Sequence, residues 1–187
     1  MEVLQNWWET TKKVGTDPEE FYQIAERYEG LSYPTKYAGV SFMIVGSMFS
    51  IVYLIYSLFT QGFSLTSILT SFIQFFLVTG GMAAAGVFYT AVMHVMTLLF
   101  GGRNWKESYR IFAFSTGPFS IAGWIPLVNV VMYFYMLYIH FHGLKILQKL
   151  STGKSITVVV LTALISTLLP IIILIAVVGG AIASLFL

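Results

Sequence analysis

Residues 156–187 read ITVVVLTALISTLLPIIILIAVVGGAIASLFL, 32 consecutive positions without a charged side chain. About 20 mostly apolar residues suffice to cross the ~30 Å hydrocarbon layer of a bilayer. This stretch is therefore a membrane span, and at ~1.5 Å per residue it is too long for one straight crossing. It must tilt, bend at Pro170 or project beyond the bilayer. Its character extends to the whole chain of 187 residues, which is 57% apolar and 10% charged. A soluble domain carries about 25% charged residues. The composition excludes disordered, collagen-like, nucleic-acid-binding and disulfide-scaffold classes and specifies an integral membrane protein. The chain has no cysteine, which removes thiol catalysis and iron–sulfur chemistry.

Working back from that stretch, four more apolar runs qualify, at 38–59, 68–100, 108–124 and 126–147. The runs are continuous rather than alternating in tens, so strands of a membrane barrel are excluded. The expected fold is all-α, a polytopic protein of five transmembrane helices over residues 38–187, preceded by a cytoplasmic amphipathic segment over 1–37. Basic residues fix the orientation. Counted through the segments flanking the five spans, Lys and Arg number 4, 0, 3, 0, 3 and 0. By the positive-inside rule the N-terminus is cytoplasmic and the C-terminus lies outside. No cleavable signal peptide is visible, and the run from 38 reads as an uncleaved anchor.

Two short helices are expected before the first span. Val3, Leu4, Trp7, Trp8 and Thr11 share one face at helical spacing. Tryptophan favours the headgroup zone, so the first helix is expected to lie along the membrane surface. The second opens at Asp17-Pro18-Glu19-Glu20, where Asp17 caps, Pro18 suits the first position and Glu20 completes a capping box. Phe21, Ile24 and Tyr28 form its apolar stripe. Asp17, Glu20, Phe21, Ile24 and Tyr28 are thus the docking candidates for a protein partner, against the plainer reading of a helix tucked onto the bundle floor.

Small residues let helices approach closely in lipid. Gly80, Gly81, Ala84 and their neighbours nominate the second span as the central helix, and Gly46 and Gly180 offer further contacts, within the protomer or in a homo-oligomer. Proline marks three expected irregularities: the Gly117-Pro118 break of the third span, Pro126 at a turn, and Pro170.

Ionisable residues near the inner face form the candidate site: His94, Arg103, Glu107, Arg110, His140 and His142. Intramembrane ionisable groups are functional candidates by default. A metal is disfavoured, because His140 and His142 stand about 200° apart around a helix. Glu107 has a local role too, as part of an Asn104-x-x-Glu107 cap with Arg110 one turn on. Gly153-Lys154-Ser155 lacks the glycine of a P-loop, Gln148 standing in its place, and no H-E-x-x-H or G-x-S-x-G motif occurs. No aspartate lies within a span. The reading is of a non-enzymatic protein with no metal, no cofactor and no nucleic-acid partner. A small transporter or lipid-handling protein using the inner-face polar cluster and the broken third span is the alternative.

One stretch carries a family likeness. Gly101-Gly102-Arg103-Asn104-Trp105-Lys106-Glu107-Ser108-Tyr109-Arg110, then Phe112-Ala113-Phe114 and Gly117-Pro118, resembles the Yip1 family's basic loop, amphipathic helix start and early proline. The D-P-x-x-F-Y segment from Asp17, the Ile125-Pro126 turn and Gly143-Leu144-Lys145 are similar too. The resemblance spans roughly residues 17–187. It implies a five-span protein with a cytoplasmic N-terminus. It also implies a role in trafficking or membrane organisation, since eukaryotic members bind prenylated Rab-type GTPases and partner Yip1-like proteins. The D-L-Y-G-P element of those members is not present as such, so Rab binding is not carried over. The short N-terminal segment implies a prokaryotic member in the plasma membrane.

Overall fold

A computed structural model describes residues 6–27, 30–102 and 104–183. Within them the chain is helical throughout, with seven helices: α1 Trp7–Thr16, α2 Pro18–Ala25, α3 Ser32–Gln61, α4 Leu65–Leu99, α5 Trp105–Ala122, α6 Pro126–Ile146 and α7 Thr152–Ala183. Side-chain surroundings are described only as far as Ala176. Four of the helices, α3, α4, α6 and α7, are long and apolar enough to cross a membrane. The third expected span, α5, does not share that character, because Lys106, Glu107, Arg110 and a series of hydroxyls replace apolar residues along its 18 positions.

α5 is the centre of the bundle. Eleven of its side chains, from Ser108 to Ser120, are buried, and it packs against α1, α3, α4 and α6. This corrects the expectation that the second span is central. In α4 only six of 35 residues are buried. Gly80 and Gly81 have nothing near the position a Cβ would take, and Ala84 is exposed. The close approaches fall elsewhere. A Cβ on Gly86 would sit 2.6 Å from the Phe112 ring, and one on Gly143 2.7 Å from Ile111. Gly46 lies against Phe75 and Thr79, where α3 meets α4. The surroundings of Gly180 lie outside the described residues.

The expected break at Gly117-Pro118 is also absent: α5 runs continuously through it. Proline withdraws one backbone donor and strains the turn before it. Hydroxyls support that turn, with Ser115 donating to the Phe112 carbonyl, Thr116 to Ala113 and Ser120 to Gly117, each at 2.7 Å. Pro170 likewise lies inside one continuous α7. Pro126 does stand at a boundary, as the first residue of α6.

α1 packs one face against the bundle. Thr10, Thr11 and Val14 are fully buried against the bundle, and the Trp7 indole N–H donates to Ser41 at 3.0 Å. Thr11 and Tyr37 share a hydrogen bond of 2.7 Å beside Gly117. Trp8, expected on the same face, is 49% exposed, while Val3 and Leu4 lie outside the described residues. α2 continues the inward packing with Phe21, Tyr22 and Ala25 at 0% exposure. The expected boundary at 37/38 therefore lies inside α3, and the N-terminal hairpin is part of the helical body.

The two ends of the bundle differ. At one, the ends of α2, α4 and α6 meet the starts of α5 and α7. Toward the other, the α5–α6 turn stops beside the middle of α4, where Thr116, Phe119 and Asn129 share one apolar groove with Met82 and Gly86. The α3–α4 hairpin continues past it for about 25 Å at ~1.5 Å per residue, closed by the Ser57–Ser67 hydroxyl contact of 2.5 Å.

Candidate functional site

The site builds from three chain ends. Asn104 caps α5, its side chain accepting from the Lys106 N–H at 2.9 Å. Satisfying an orphan amide in this way fixes where the helix begins. Glu107, one turn in, pairs with Arg110 at 2.7 Å rather than closing a capping box. Arg110 is 1% exposed and also donates to the Ala25 carbonyl at the end of α2. A guanidinium so deep is held by charge-assisted bonds on two sides, and it ties α2 to α5. Arg103 lies outside the described residues.

Gln148, just past α6, completes the junction. Its amide donates to the Asn104 carbonyl at 2.7 Å and to Ser108 at 3.0 Å, while its oxygen accepts from the Asn104 N–H at 3.4 Å. Reading by motif had found Gln148 only as the residue that spoils a P-loop. Lys149 pairs with Glu26 across to α2. Glu26, Gly101, Asn104, Glu107, Arg110, Leu147, Gln148 and Lys149 enclose a polar cavity of about 450 Å³.

The histidines do not share this cavity. His94 contacts Ser108 at 3.2 Å and stands edge-on to Trp105. His140 is fully buried between Ser115, 2.8 Å from Nε2, and Tyr89, 3.0 Å from Nδ1. Since Ser115 gives its one proton to the Phe112 carbonyl, the His140 Nε2–H donates to Ser115, and Nδ1 accepts from Tyr89. The chain Tyr89–His140–Ser115 looks like an activated nucleophile by distance alone. Its proton directions are the reverse of those a general base needs. It locks α4, α5 and α6 together.

His142 points away from His140, as the 200° offset requires, and reaches the α1–α2 hairpin, with Nδ1 3.6 Å from Glu19 and its ring edge-on to Tyr138. Among the described residues no group of three His, Asp or Glu side chains is arranged to hold a metal ion.

The docking candidates separate into two sets. Phe21 is in the core, against Phe114 and Tyr22, and Ile24 is half-buried. Tyr28 lies outside the described residues. Asp17 accepts from the Glu20 N–H at 2.9 Å, and that bond holds its carboxyl below the usual carboxylate range against a smaller opposing effect of desolvation. Glu20 turns to Lys13 instead of closing the box. Tyr22, which the apolar stripe omitted, is fully buried and donates to the Ile111 carbonyl at 3.2 Å; burial raises its phenol pKa.

No curated protein and no solved structure matches this chain. The family model described as the Yip1 domain matches residues 12–175. That interval begins inside α1 and ends inside α7, taking in α2 to α6 whole. The chain is an integral membrane protein belonging to the Yip1 family.

Proposed function

We propose that this protein is a non-enzymatic membrane scaffold that recruits a protein partner through the outer face of its α1–α2 hairpin, in a trafficking or membrane-organising role. The observation that carries this reading is the division of the hairpin itself. One face is locked into the bundle by Val14, Phe21, Tyr22 and Ala25. The other presents Glu9, Lys12, Glu19, Glu20 and Arg27 on a rigid frame. A charged, preorganised face loses little entropy on binding, and complementary charge sets partner choice. Deleting residues 1–37 would also strip the core, so surface substitutions are the proper test. Replacing Glu9 and Glu20 by lysine should lose co-purifying partners from detergent extracts while thermal stability holds. Recovery of the same partners by the doubly substituted chain would refute the reading.

The proposed setting is a prokaryotic plasma membrane, with the N-terminus cytoplasmic and five crossings. All ten basic residues lie in alternate segments, and the Asn104–Gln148 and Glu26–Lys149 contacts draw three of these segments together. α5 and α6 leave that end and return to it, so α3, α4 and α7 alone put the termini on opposite sides. A single cysteine replacing Trp124, at the α5–α6 turn, should react with an impermeant maleimide from outside. A thiol there shielded from both faces would reduce the crossings to three. The third span no longer supports the transporter alternative, since α5 is unbroken at Gly117-Pro118.

A further inference from the structure

The cavity at the junction of α2, α5 and α6 has a wall unlike any other groove described on the molecule. Among the described residues its charged lining is balanced, with Arg110 and Lys149 against Glu26 and Glu107. Arg110 is almost fully buried, and its Nε has no hydrogen-bond partner although both terminal nitrogens are engaged. Lys149 is the one residue other than glycine, among those described, with a positive φ, at 56°. It occupies the left-handed position after α6, where the Leu150 N–H reaches back to the Leu144 carbonyl. Glycine is the usual residue there, because a side chain costs strain. Strain of this kind gathers at functional sites, and here it stands beside a charged cavity. The cavity also lies where the apolar helices α4 and α6 end and α7 begins.

We infer that this cavity binds a zwitterionic phosphate ester carrying a primary ammonium, the chemistry of an ethanolamine phospholipid headgroup. The phosphate faces Arg110 and Lys149, and the ammonium donates to Glu26 and Glu107. Glu107 pairs with Arg110 and Glu26 with Lys149, so a phosphate that takes the two cations releases both carboxylates, which an ammonium then engages and an anionic headgroup does not. Choline would fail for a different reason. Its quaternary nitrogen has no proton to donate, and such ions are held by aromatic cages, whereas no aromatic residue among those described lines this cavity. The volume of about 450 Å³ exceeds that of several waters, each taking about 30 Å³. The inference is independent of partner docking, which uses the opposite face of the hairpin.

The test is native mass spectrometry of the full chain, purified in detergent and offered phosphatidylethanolamine, phosphatidylcholine and phosphatidylglycerol of identical acyl chains at equal concentration. Retention of the ethanolamine lipid should exceed that of the other two by about tenfold, a ratio worth one unit of log affinity. Lys149→Gly relieves the left-handed strain, so its melting temperature should hold or rise while the preference disappears. Glu26→Gln should lose the preference for ethanolamine over glycerol headgroups. Equal retention of the three lipids, or an unchanged preference in Lys149→Gly, would overturn the site. Adding soluble O-phosphoethanolamine separates the sources. Displacement of the lipid makes the free ester a ligand as well, and persistence of the lipid confines the site to the membrane-borne headgroup.

Discussion

α4 and α5 are neighbours in sequence and touch in the bundle, yet they solve opposite problems. α4 is 35 residues long with six side chains buried, and Phe72, Leu77 and Val87 stand more than half exposed along it. α5 is about half as long and has eleven buried, among them Ser108, Arg110, Ser115, Thr116 and Ser120. In water the apolar helix would be the interior one. In a bilayer, lipid tails solvate leucine as well as another helix does, so apolarity marks the surface and small or hydroxyl-bearing residues mark the interior. Polar side chains on α5 are tolerated because they find partners, Ser108, Arg110 and Ser115 on facing elements and Thr116 and Ser120 at carbonyls of their own helix. The hydropathy of a long helix here reports what surrounds it, and the least apolar of the five long helices is the one the others enclose.

The comparison can be broken by substitution, with unfolding followed in detergent. The largest effect is expected at Arg110→Ala, which strands Glu107 and the Ala25 carbonyl at the α2–α5 junction. Removing one partner of a buried ion pair costs about 3–5 kcal/mol. If the loss is under about 1 kcal/mol, as for an exposed pair, the guanidinium does not hold α2 to α5. Next is Tyr89→Phe, which leaves His140 Nδ1 without a donor in a fully buried site. A buried acceptor left unsatisfied costs about 1–3 kcal/mol, and a neutral outcome would mean that this chain does not lock α4 to α6. A pair of smaller deletions sharpens the contrast. Ile111→Val removes one methylene from the core and should cost about 0.5–1.5 kcal/mol. Leu77→Ala removes three carbons from a side chain that is 68% exposed on α4 and should stay within about 0.5 kcal/mol. The reverse order would mean that α4 faces protein rather than lipid.

The smallest effect is in pH. The Asp17 carboxyl is held below its ordinary value by the Glu20 N–H. Its stabilisation is therefore present above the unfolded pKa of about 3.9 and is lost as pH falls through the lower folded value. Asp17→Ala should flatten the acid limb of the stability profile and leave the neutral region parallel to that of the native chain. An identical acid limb in the two proteins would show that the cap carries no charge-dependent stability.

Local chemistry was legible in the sequence. Asp17 before Pro18, Asn104 before Trp105 and Pro126 after Ile125 each mark a helix start that the structure contains, because capping is decided within four residues. The divergence of His140 and His142 followed from helical geometry alone. Relations between distant segments were not legible. Tyr89, Ser115 and His140 are separated by 26 and 25 positions, and a serine in an apolar run looks the same whether it back-bonds its own helix or receives a histidine. The glycine cluster at 80–81 outshone single glycines at 86 and 143, although only the latter meet a neighbouring helix. A close contact depends on what faces the glycine, and that is set by the packing. Gln148 showed no signal, since its value lies in reaching Asn104 across 44 residues.

The central claim, that α5 is enclosed while the first half of α4 faces lipid, needs no mutant to test. A lipid-soluble diazirine, photolysed with the native chain in a bilayer and mapped by peptide mass spectrometry, reads lipid contact along each helix. The account predicts strong carbene insertion over residues 65–81 and 164–176 and none above background over 108–118 until the protein is unfolded. Insertion into 108–118 comparable with that over 65–81 in the folded protein would contradict it.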